Sequence, residues 1–136
     1  MRLHLRLPLA ALAALMAACG RADPVPPAPA MTASETPISV RGTEKVEWDQ
    51  PGAVREQLSK YRFIGYVDGV PADLPDASCA MTPVNGKFPC SARIPKMTPG
   101  RHRFELAAEE IEEPHRRGTK SGALVLDVRP ADTTSK

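Results

Sequence analysis

The sequence predicts an all-β sandwich. Three observations lead there: apolar and polar residues alternate in short runs, Pro and Gly punctuate those runs about every ten residues, and no internal repeat is present. The folded part covers roughly residues 37–130, the size of one compact domain, and residues 131–136 read as a flexible tail.

The first element along the chain is an export signal. Arg2 and Arg6 make a positive start, about a dozen apolar residues run from Leu7 to Ala18, and the small pair Ala17-Ala18 precedes Cys19. A bilayer-spanning helix needs roughly 20 apolar residues, so this run suits transient export better than a permanent span. The stretch Leu15-Met16-Ala17-Ala18-Cys19-Gly20 resembles the lipobox of bacterial lipoproteins, with Met16 where leucine is commoner. The resemblance implies a signal peptide over residues 1–18, cleavage before Cys19, lipid on the Cys19 thiol, and acylation of the new N-terminus with chains such as palmitate. It also implies a lipid-anchored place in the bacterial cell envelope, and Gly20 in place of aspartate implies the outer membrane. Several acyl chains hold where one is marginal, because each buried methylene contributes about 0.8 kcal/mol. An ordinary secretory signal with Cys19 beside its cleavage site is the plainer alternative.

Residues 19–36 come next. Pro24, Pro26, Pro27 and Pro29 among alanines leave too little apolar bulk to offset ordering entropy and favour polyproline II. This composition predicts a Pro/Ala-rich tether, reaching on the order of 50 Å from the membrane at about 3.1 Å per residue.

The strands then follow in order. Val46 and Trp48 share one face of a run over 45–49; Tyr61, Phe63 and Val67 share one face of a run that stops at the turn pair Asp68-Gly69. Ala92 and Ile94 alternate with Ser91 and Arg93. Phe104, Leu106 and Ala108 alternate after the Pro99-Gly100 turn, and Leu124, Leu126 and Val128 close the domain. Residues 104–113 are rich in helix formers, but Pro114 would stop a helix after barely two turns, so a strand is expected through Ala108. Trp48, Phe63, Phe104, Leu106 and Leu126 should meet between two sheets, with Arg62, Arg103 and Glu105 pointing outward.

With Cys19 lipidated, Cys79 and Cys90 remain as an even pair in an oxidising compartment. Two hairpin registers compete for the segment between them. A four-residue loop Pro83-Val84-Asn85-Gly86 puts Cys79 opposite Cys90, whereas a two-residue Asn85-Gly86 turn puts Ala92 there. A disulfide selects the first, and would stabilise the domain by roughly 3 kcal/mol.

The tryptophan strand, the Tyr61-Arg62-Phe63 strand and the segment from Met97-Thr98-Pro99-Gly100 through Phe104-Glu105-Leu106 resemble a fibronectin type III domain. The resemblance covers about 95 residues and implies a fibronectin type III or immunoglobulin-like β-sandwich. Met97 replaces the usual leucine, His102 falls near a common tyrosine position, and most members lack the cysteine pair.

Function is less legible. The whole chain carries 18 basic and 16 acidic residues; Arg2 and Arg6 leave with the signal, so the mature chain has 16 of each. That balance argues against nucleic acid as a partner. His102 and His115 belong to no catalytic motif, so no enzyme activity, cofactor or metal is expected; Asp68, Asp73 and Asp76 match no calcium loop. Two cysteines without a histidine set make a poor zinc site. His102 is expected to be a structural imidazole and His115 part of a solvated loop. Ile64 and Tyr66 point away from the inferred core, which leaves two readings: candidate partner contacts, or residues packed under a neighbouring loop or isolated on the surface. The acidic run 109–113 and the basic run after Pro114 are expected to pair weakly at the surface. The expected partners are therefore the membrane, through the anchor, and an envelope protein or polysaccharide bound by a non-catalytic module. The alternative is a structural or accessory subunit of a larger envelope complex.

Overall fold

A computed structural model describes residues 25–52 and 54–131. Its strands are β1 (Ser34–Val40), β2 (Lys45–Pro51), β3 (Tyr61–Val67), β4 (Val70–Asp73), β5 (Ser78–Cys79), β6 (Lys87–Arg93), β7 (Gly100–Glu110) and β8 (Leu124–Val128), with one short helix, α1 (Arg55–Leu58), between β2 and β3. They form two sheets, one ordered β1-β8-β7-β3-β4 and the other β2-β6-β5. All pairings are antiparallel except that of β1 with β8.

Alternation builds the core. The inward residues of β2 and β6 (Val46, Trp48, Phe88, Cys90, Ala92) meet Phe63, Phe104, Leu106, Ala108, Leu126 and Val128 from the larger sheet. Trp48 and Phe63 pack edge to face, ring centroids 5.0 Å apart. Gly65 lies beneath Phe104, where a Cβ would approach the ring to 2.9 Å. The five expected core residues are all buried in one cluster, and Arg62 and Arg103 are exposed as their strand phase requires. The helix-forming residues 104–110 are strand, because both neighbours of β7 supply ladder partners and its inward residues complete the core.

Three expectations need correction. The first is the tether over 19–36. Pro26 is fully buried, Gln50 Nε2 donates to the Pro27 carbonyl at 2.9 Å, and Ala30 exchanges backbone hydrogen bonds with Asp49 at 2.8 and 3.1 Å. Residues 25–33 therefore form a strap along the free edge of β2, and β1 already begins at Ser34, before the expected boundary at Pro37. Proline lacks the N–H that an edge leaves unpaired in any case, so a proline-rich segment can still lie against a sheet.

The second correction concerns the β5–β6 hairpin, where both registers occur. Cys79 and Cys90 are directly opposed, with Cα atoms 3.9 Å apart and the sulfurs at disulfide distance. Yet Val84 and Lys87 also exchange both backbone bonds around Asn85-Gly86, whose φ values of 51° and 72° are those of a type I′ turn. From Cys79 to Val84 the chain takes five steps and from Lys87 to Cys90 only three; Ala80 still donates to the Pro89 carbonyl, so residues 81–83 bulge to absorb the excess. The third correction belongs to the surface of β3.

Candidate interaction surface

Ile64 and Tyr66 do face away from the main core, but they are not exposed. Both are buried with Ala107 in a small second cluster. The segment after β7 turns back and continues the ladder beside it: Glu110 N–H donates to Arg116 O, Gly118 N–H to Ala108 O and Ser121 N–H to Leu106 O. Long side chains from this returning segment then lie over the outer face of β3. Lys120 Nζ sits 4.0 Å from the Tyr66 ring centroid, and Arg117 donates to the Tyr66 hydroxyl at 2.7 Å. The candidate contact role of Ile64 and Tyr66 thus loses its premise. Outward phase alone does not distinguish a solvated position from one covered by the chain itself.

Across the same face runs a row of charges in cross-strand register, Arg62 on β3, Glu109 on β7 and Arg117 on the returning segment. Glu109 is 3 % exposed. Arg62 Nε donates to its Oε1 at 2.8 Å and Arg117 Nε to its Oε2 at 2.6 Å. Burial pushes the Glu109 carboxyl up, but the Arg62 and Arg117 hydrogen bonds outweigh it and hold it below the usual range. The hydrogen bond to Glu109 in turn raises Arg117. Beside this row, Arg116 forms a two-pronged pair with Glu110, both contacts at 2.8 Å. The expected weak surface pairing is therefore, at Glu109, a buried carboxylate held between two part-exposed arginines.

At the opposite end of the sheet His102 joins two turns. Its Nδ1 meets Asp68 Oδ2 at 2.7 Å and its Nε2 meets the Thr98 carbonyl at 2.8 Å, so both ring nitrogens face acceptors and the doubly protonated ring is favoured. The Asp68 hydrogen bond, then that to Thr98, raises the His102 pKa. Asp68 is held low chiefly by the Arg103 N–H and then by His102. This half-buried imidazole fastens the Asp68-Gly69 turn to β7. His115 is exposed and lies 2.9 Å from Glu113.

An open cleft of about 1000 Å³ lies beside β1 and β2, lined in part by Met31, Ile38, Val40, Val46, Trp48 and Leu126. Its lining has no histidine, and its two cysteines, Cys79 and Cys90, are paired with each other. Asp68, Asp73 and Asp76 stay apart: Asp68 binds His102, Asp73 pairs with Ile64 on β3, and Asp76 accepts from the Arg93 N–H. Among the described residues no group of three His, Cys, Asp or Glu side chains is placed to hold a metal, and no helix is long and apolar enough to cross a membrane. Cys19 lies outside the described residues. No protein-family model, no curated protein and no solved structure matches the chain.

Proposed function

We propose that the chain is an outer-membrane lipoprotein of the bacterial envelope, anchored through Cys19, whose sandwich is a non-catalytic module for an envelope protein or polysaccharide. The observation that carries this reading is the run from Arg2 to Gly20: a basic start, an apolar stretch too short to span a bilayer, and a small-residue site ending on cysteine. The pairing of Cys79 with Cys90 is what an oxidising compartment would permit. The finer fold assignment, fibronectin type III or immunoglobulin-like, draws support from strand order. β2, β6 and β5 stand where such sandwiches place strands B, E and D, and β8, β7, β3 and β4 where they place G, F, C and C′.

The test has two arms. Replacing Cys19→Ala should leave an unprocessed or mislocalised form; the same mature product with the same membrane retention would refute the anchor. Crosslinking from intact envelopes with the lipidated protein as bait should return a protein or glycan partner, and a bait that stays uncrosslinked would refute the binding role.

A further inference from the structure

Among the described residues, five of the seven large apolar side chains left exposed gather at one end of the sandwich: Val25, Val54, Met81, Val84 and Ile111. Strand register places them there. Pro51 at the end of β2 pairs with Lys87 at the start of β6, and Tyr61 at the start of β3 pairs with Glu110 at the end of β7. The connections that leave these positions therefore share that end, and they carry Val54, Met81 with Val84, and Ile111. The strap runs antiparallel to β2, through the Ala30–Asp49 bridge and the Gln50–Pro27 hydrogen bond, which brings Val25 to the same end. Met81 and Val84 are 75 % and 60 % exposed on the bulge and tip of their hairpin. Toward the opposite end lie the other two, Val70 beside the Asp68-Gly69 turn and Ile38 on β1, level with His102.

The chain length outside the described residues indicates what covers this end. Val25 lies six residue steps from Cys19, a reach of at most about 22 Å at 3.6 Å per residue. That is less than half the reach of a free tether over 19–36. It is also shorter than the sandwich, since the eleven residues of β7 extend roughly 36 Å. A domain held on so short a leash presents the Val25 end to the lipid. Loop-tip valine, isoleucine and methionine are side chains that gain by entering the headgroup–acyl boundary.

We infer that this end of the sandwich docks on the lipid bilayer, with Met81, Val84 and Ile111 entering its interface; the inference rests on the acylation of Cys19 proposed above. The charges nearby are mixed, Arg55, Lys60 and Lys87 with Glu56, Glu112 and Glu113. The attraction is apolar, and neutral lipid suffices for it. The opposite end, with its Asp68-Gly69 and Pro99-Gly100 turns, is left facing away from the membrane for a partner.

The lipidated protein, reconstituted in phosphatidylcholine vesicles with spin-labelled quencher lipid, tests this. A fluorophore is placed on Val84→Cys, Ile111→Cys or Val70→Cys, each variant retaining the Cys79–Cys90 bridge and each checked for acyl mass on Cys19. Quenching at positions 84 and 111 several-fold above that at 70 is the expected result. Equal quenching at all three sites with the acyl mass present would overturn the docking while leaving the anchor intact. Absence of the acyl mass would overturn both.

Discussion

Trp48→Ala removes the largest side chain that the smaller sheet gives to the core. Trp48 is buried and packs edge to face on Phe63. A tryptophan buries on the order of 200 Å²; the apolar part that alanine cannot replace, at about 25 cal/mol per Å², amounts to about 3 kcal/mol. The aromatic contact adds about 1 kcal/mol. Trp48 Nε1 has no hydrogen-bond partner among the described residues, so its removal returns about 1 kcal/mol of desolvation cost. The net loss is about 3 kcal/mol, at the low end of tryptophan-to-alanine substitutions. For a domain of this size that lowers the melting temperature by at least about 12 °C. Circular dichroism is the assay, since the variant has lost the chain's lone tryptophan. Trp48→Phe should cost only about 1 kcal/mol, because it keeps an aromatic ring and loses no hydrogen bond. A Trp48→Ala protein melting within about 3 °C of the parent would refute the packing argument. A Trp48→Phe protein as unstable as the alanine variant would refute the claim that Nε1 contributes nothing.

The strap gives a second prediction: a Cβ on Gly118 would lie 2.1 Å from the Pro26 carbonyl oxygen, so Gly118→Ala should cost about 2 kcal/mol and open residues 25–33 to limited proteolysis. Reducing the Cys79–Cys90 bridge should lower stability by about 3 kcal/mol in the chain-entropy model, and non-reducing peptide mapping should recover both cysteines in one linked fragment. Because the folded His102 pKa is raised, its contribution is complete below the unfolded value near 6.5 and is lost as pH rises through the folded pKa. The depressed Asp68 pKa means that its contribution is present above the unfolded value near 3.8 and is lost as pH falls through the folded one. Melting temperature should therefore decline on the alkaline side of pH 6.5, and His102→Gln should flatten that limb.

What could be read in advance followed from strand phase. Phe63, Phe104, Leu106 and Leu126 announced the core because each repeats on one face of its own run, and a single small domain has one place to bury them. Pairing beyond that phase was invisible. β1 has polar residues and Pro37 at its centre, so only its parallel partner β8 reveals it. The strap has the composition of a disordered tether, and its order comes from the unpaired edge of β2 and from Gly118, which makes room for Pro26. Ile64 and Tyr66 had the phase of surface residues, and nothing local to β3 signals that Arg117 and Lys120 return across them. Glu109 looked like one charge in an acidic run, and its burial depends on an arginine 47 residues earlier. The clustering of Val25, Val54, Met81, Val84 and Ile111 needs the strand register to bring together loops that are distant in sequence.

The central claim is that Cys19 is the acylated N-terminus from which the sandwich is held close to a membrane. Mass spectrometry of the N-terminal peptide from the native membrane fraction addresses it most directly. The account predicts a peptide beginning at Cys19, with a diacylglyceryl group on its sulfur and an acylated amine. A mature chain that begins elsewhere, or a Cys19 carrying a free thiol, would contradict it.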